Sequence, residues 1–151
     1  MNKMLSSSKV VPTLVPFLAH TTAEGTGLAV DTSGFSDIMM VAHQGISGDT
    51  LATTTLLWTI TFQECAVTTA GSFALIAAAD LLGGGATVLI DAAAEDPTTI
   101  VRHYIGKLRY VRILWTQTGT HSNGTPLCGA VILSQPVQFP QTQTTELGTA
   151  S

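Results

Sequence analysis

Residues 98–118 constrain the fold more than any other stretch of this chain. Two runs rich in β-branched and aromatic residues, 98–105 and 108–118, flank Gly106-Lys107, and a two-residue link with glycine first is the connection of a tight β-hairpin. In the second run Val111, Ile113 and Trp115 fall on one strand face, and Leu108, Tyr110, Arg112 and Leu114 on the other. Both faces are partly apolar, as in a strand covered on both sides.

The rest of the chain repeats this grammar. Trp58, Ile60 and Phe62 alternate with Thr59 and Thr61, which predicts a strand with one buried face over 53–63. Residues 38–42, 86–91 and 127–133 read as shorter strands, separated by glycine-, proline- and asparagine-rich turns. Residues 10–18 are apolar but carry Pro12 and Pro16, which cannot donate to a sheet ladder, so they form an edge strand or an extended clasp. Residues 73–82 fit either a short helix or a loop with one helical turn, ended by Gly83, Gly84 and Gly85, a flexible connection. About eight short strands with little helix predict an all-β, single-domain β-sandwich of jelly-roll type, with a small barrel as the competing architecture. Its core spans about 10–136, with an N-terminal arm over 1–9 and an extended, polar C-terminal tail over 137–151.

Surface character narrows the class. Only 11% of the residues are charged, against roughly 25% in an ordinary soluble domain. No apolar run reaches the roughly 18 residues of a membrane span: the closest, 73–82, is broken by Asp80. Lys3 followed by the apolar 10–19 faintly resembles a secretory signal, but Pro12 and Pro16 interrupt it, and an uncleaved N-terminus is expected. An under-charged chain without a span belongs in an assembly, where neighbours cover its apolar surface. The net charge of −4 disfavours direct nucleic-acid binding. Cys65 and Cys128 form no Cys-x-x-Cys pair and are expected to be buried free thiols; a disulfide would require a proximity that spacing does not reveal.

No catalytic signature is present. His20, His43, His103 and His121 lack ligand spacing, Asp31, Asp37, Asp49, Asp80 and Asp91 lie in or beside turns where aspartate bonds local backbone, and no nucleophile elbow occurs. The chain is therefore expected to be non-enzymatic, without metal or cofactor. The remaining signal is cationic: Arg102, Lys107, Arg109 and Arg112 are four of the six basic residues. They either cover apolar surface and pair with local acids, or form a docking patch for an acidic face of a partner subunit.

The same stretch carries a family resemblance. Tyr104-Ile105-Gly106-Lys107-Leu108-Arg109-Tyr110-Val111-Arg112 follows Ala29-Val30-Asp31-Thr32-Ser33-Gly34-Phe35-Ser36-Asp37 and precedes a late apolar strand ending Leu133-Ser134-Gln135-Pro136. Over about 10–140 this resembles the capsid cement, or decoration, proteins of tailed bacteriophages. Two departures lie in loops: Ile46-Ser47-Gly48-Asp49-Thr50 is only similar to the family's Thr-Asp-Gly-Thr, and Gln63-Glu64 runs into Cys65-Ala66-Val67 instead of an Asp-rich turn. The resemblance implies a self-associating subunit, dimer or trimer, that clamps the phage major capsid protein on the outer surface of the virion. A head–tail connector or tail component is the first alternative. A carbohydrate-binding sandwich using exposed Trp58, Trp115 or Tyr104 is the second.

Overall fold

The structure, a computed structural model, describes residues 7–68 and 72–136. Among the described residues, ten strands make two antiparallel sheets: β1 (Ser8–Ala19), β2 (Val30–Asp31), β3 (Phe35–Gln44), β4 (Leu57–Cys65), β5 (Ala74–Leu75), β6 (Leu81–Leu82), β7 (Thr87–Ile90), β8 (Thr98–Tyr104), β9 (Tyr110–Thr118) and β10 (Thr125–Pro136). Sheet A has the order β1-β10-β3-β8-β6 and sheet B the order β2-β9-β4-β5, with β7 also paired to β4. The fold is the all-β sandwich expected. Residues 73–82 take the loop option, two short strands around a three-residue 3-10 turn, Ala78–Asp80.

Period-two alternation explains the core. Trp58, Ile60 and Phe62 on β4 and Val111, Ile113 and Trp115 on β9 are all fully buried, and the register sets Ile60 opposite Trp115 and Phe62 opposite Ile113. Sheet A covers them with Met40, Ala42, Val131 and Leu133, so one cluster of buried residues joins both sheets. β1 is an edge strand, as its prolines require, and its pairing with β10 shifts register between Pro12 and Leu14 and again between Leu14 and Phe17. Ser8 and Lys9, placed in the N-terminal arm by the sequence, belong to β1. The remainder of that arm before Ser7, and the tail over 137–151, lie outside the described residues.

The central hairpin does not form. β8 pairs with β3 and β6 in sheet A, whereas β9 pairs with β2 and β4 in sheet B, so Gly106-Lys107 lies in a crossing between sheets. Tyr104 explains the crossing. Its buried hydroxyl accepts from Leu108 N (2.9 Å), lies 3.1 Å from Leu108 O and donates to Glu64 Oε2 (2.5 Å), winding 104–108 around its own side chain and tying it to β4. Gly106 is a glycine because a Cβ there would collide with the Tyr104 ring, not because a hairpin turn needs it.

Candidate docking surface and the polar interior

The register of sheet A defines its outer face row by row. One cross-strand row is Val10, Ile132, Met39, His103 and Leu82; the next is Pro12, Ala130, Val41 and Val101; a third is Cys128, His43 and Thr99. Apolar side chains from five strands, far apart in sequence, thus meet on one exterior. Val10, Met39, Leu82 and Val101 are among the exposed large hydrophobic residues of the chain. The outer face of sheet B is mixed: Thr59 lies between Leu89 and Thr116, Thr61 between Thr87 and Leu114, and Gln63 between Leu75 and Arg112, with Leu75 and Leu89 exposed.

The charges of sheet A's exterior are few and partnered. His103 Nε2 forms an ion-pair contact with Asp37, and His43 Nδ1 bonds Thr99 Oγ1 at 2.8 Å. Asp37 therefore lies in strand β3, not in a turn serving local backbone. Cys128 sits half-buried on this face with its thiol pKa pushed up by burial, while Cys65 is buried at the end of β4; both are free thiols.

The four cations expected at the hairpin are dispersed. Arg102 shares the inward face of β8 with Ile100 and Tyr104, its guanidinium 5.6 Å from the Phe62 ring centroid. It donates to Gly85 O (2.9 Å), Gly83 O (2.8 Å) and Val101 O (3.0 Å), so the triple-glycine connection, expected to be flexible, is clasped by an arginine. Arg109 holds Asp31 through both carboxylate oxygens, with the shortest contact at 2.6 Å, and lies 5.1 Å from the Tyr110 ring centroid. This guanidinium pulls the Asp31 carboxyl down to about 2. Arg112 lies on the outer face of sheet B, donating to Gln63 Oε1 (2.7 Å) and stacked 4.2 Å over Phe73. Lys107 is exposed in the crossing. No single patch collects the four: Arg109 pairs with an acid, Arg102 bonds main-chain carbonyls and Arg112 bonds an amide.

A polar cluster that sequence spacing does not reveal closes one end of the sandwich. Trp58 Nε1 donates to Thr125 Oγ1 (2.9 Å), which also bonds Ser47 Oγ (2.9 Å). Gln44 Nε2 and Ser47 N both donate to Asp96, and Asn123 N and Nδ2 to Asp49. His121 stacks on Trp58 with ring centroids 4.5 Å apart, its Nε2 3.3 Å from Leu57 O. Because the His121 side chain is wholly enclosed and Asp49 nearly so, the cluster fastens the loops 45–56, 91–97 and 119–124 to one another rather than presenting groups to a substrate. Among the described residues, no group of three or more His, Cys, Asp or Glu could hold a metal ion. Trp58, Trp115 and Tyr104 are all enclosed, so the aromatic platform that glycan binding would use is not at the surface.

The chain matches no family model, and no curated protein or solved structure matches it significantly. Its function is therefore read from its own residues and geometry.

Proposed function

We propose that this chain is a non-enzymatic structural protein of a tailed-bacteriophage virion, bound to the outside of the capsid, where it stabilises contacts between major capsid protein subunits. The observation that carries the proposal is the apolar exterior of sheet A, where Val10, Met39, Leu82 and Val101 are exposed, in a chain with only 11% charged residues. A free monomer gains nothing from such a surface; a shell subunit uses it against neighbours. Two further features support the reading. The strands alternate between sheets from β1 to β4 and again from β8 to β10, with the first strand beside the last, an arrangement that supports the jelly-roll reading. Ser8 and Ser134 are paired across β1 and β10, which sets the first and last described strands side by side at the edge of sheet A. Survival of particles with and without the protein under heat or osmotic shock tests the role: loss of survival is expected without it, and equal survival refutes it. Copy number separates the connector alternative, with hundreds per particle expected for a shell protein and about six or twelve for a ring.

A further inference from the structure

We propose that Asn123 is a site of spontaneous deamidation, and that its conversion unfastens loop 119–124 from loop 45–56 at the end of the sandwich. The inference concerns the chain alone and stands apart from the virion reading.

The fold requires both residues of the Asn123-Gly124 pair. Asn123 clasps the neighbouring loop: its main-chain N donates to the two carboxylate oxygens of Asp49 (3.1 and 3.2 Å), and its Nδ2 donates to Asp49 Oδ1 (3.0 Å) and Gly48 O (3.1 Å). Gly124 has φ of +74°, and a Cβ there would stand 2.7 Å from His20 Cε1 and 2.8 Å from Leu18 Cγ, so a side chain is excluded on both counts. The pair that packing selects is also the one in which an asparagine is most open to attack by its own backbone, because glycine leaves the following nitrogen unshielded. Asn123 is exposed, and among the described residues Gly124 N has no main-chain acceptor.

The chemistry needs only water. Gly124 N, deprotonated, attacks Asn123 Cγ; the N–Cγ bond forms, the Cγ–Nδ2 bond breaks, and Nδ2 leaves as ammonia with a proton taken from water. Water then opens the cyclic succinimide at either carbonyl, leaving aspartate or isoaspartate at 123. Aspartate sets a carboxylate oxygen where Nδ2 stood, against Asp49, so an attractive contact becomes a repulsive one and the Gly48 carbonyl loses its donor. Isoaspartate reroutes the main chain through the side chain and adds a methylene ahead of Gly124, whose carbonyl accepts from Gly48 N at 2.9 Å. Swinging Cγ onto Gly124 N must first break the Nδ2 bonds to Gly48 and Asp49. The reaction therefore runs from the opened loop, and its products keep that loop from reclosing.

Incubation of the full chain at mildly alkaline pH tests the proposal, read by peptide mapping with mass spectrometry and by enzymatic methylation of isoaspartate. Conversion is expected at Asn123 well ahead of Asn2, the chain's other asparagine, which precedes a lysine. The incubated protein should exchange its amides several-fold faster over 46–50 and 119–124 than the fresh protein, with β4 and β9 unchanged. Asn123→Asp should show the same acceleration without incubation. Asp49→Ala, which removes an acceptor of the clasp, should speed conversion of Asn123 several-fold. No conversion at Asn123 in the folded chain overturns the site. Conversion that leaves exchange over both loops unchanged overturns the unfastening, and an unaltered rate in Asp49→Ala overturns the link between the reaction and loop opening.

Discussion

Tyr104 ends strand β8 with its hydroxyl 2.5 Å from the buried carboxylate of Glu64 on β4, a bond that joins the two sheets where the chain crosses between them. Burial of the ring, reinforced by this carboxylate, raises the Tyr104 pKa above its ordinary value of 10.0. A phenol whose pKa is higher folded than unfolded contributes stability that is complete below pH 10.0 and declines as pH rises beyond it, because the unfolded chain ionises first. Tyr104→Phe leaves Glu64 without its donor and should destabilise the fold by about 1–3 kcal/mol at neutral pH. Denaturant titrations from neutral pH to pH 11 should show a shallower alkaline decline in the variant than in the parent; parallel declines would separate Tyr104 from the effect.

Gly106→Ala tests the crossing directly. An added methyl meets the Tyr104 ring, and the resulting overpacking should lower stability by about 1–3 kcal/mol. The ring gives the mechanism its control: in a Tyr104→Ala background, which is itself strongly destabilised, the second substitution should have little further effect. Additive losses in this double-mutant cycle would mean that Gly106 is needed for its backbone conformation instead.

These two residues show where sequence reading succeeds and where it stops. Trp58, Ile60 and Phe62, like Val111, Ile113 and Trp115, were legible as buried faces because alternation is local and reports burial of one side. Pro12 and Pro16 likewise announced an edge. The link at Gly106 was misread because two alternating runs around a glycine look the same whether they join in one sheet or pass to another. The choice depends on Tyr104 finding Glu64, forty positions earlier. The exterior of sheet A was invisible for a related reason: Val10, Met39 and Ile132 become neighbours only once three strands are in register. The cation cluster was legible in sequence and false in space, since Arg102 and Arg112 point to different sides of the sandwich.

The Asp31–Arg109 pair makes a prediction at acid pH. Arg109 lowers the Asp31 pKa to about 2, so the pair's stabilisation is present above the ordinary aspartate value of 3.8 and is lost as pH falls from there toward 2. Both side chains are more than one-third exposed, so the loss is small and screened by salt. Asp31→Asn should flatten the stability profile across that window at low ionic strength. The same pair tests docking. Arg109→Glu alone should weaken shell attachment under a docking role, but it also sets a carboxylate against Asp31. The exchanged pair Asp31→Arg with Arg109→Asp removes that ambiguity: attachment restored by the exchange assigns Arg109 to the fold, and attachment still lost assigns it to a capsid contact.

Arg102 should behave as an internal clasp. Its fork reaches the carbonyls of Gly83 and Gly85 while the guanidinium lies over Phe62, and desolvation by burial lowers its pKa. Arg102→Met preserves the apolar stem and deletes every donor, so it isolates the hydrogen bonds from the packing. Stability should fall by about 1–3 kcal/mol, and amide exchange should accelerate over 82–86 more than elsewhere in sheet A. Gly83 and Gly84 have φ of +93° and +131°, conformations that leave this connection little support of its own once the arginine is gone. Uniform acceleration across the sheet would indicate global destabilisation only, whereas unchanged exchange over 82–86 would show that the glycine connection holds its shape without Arg102.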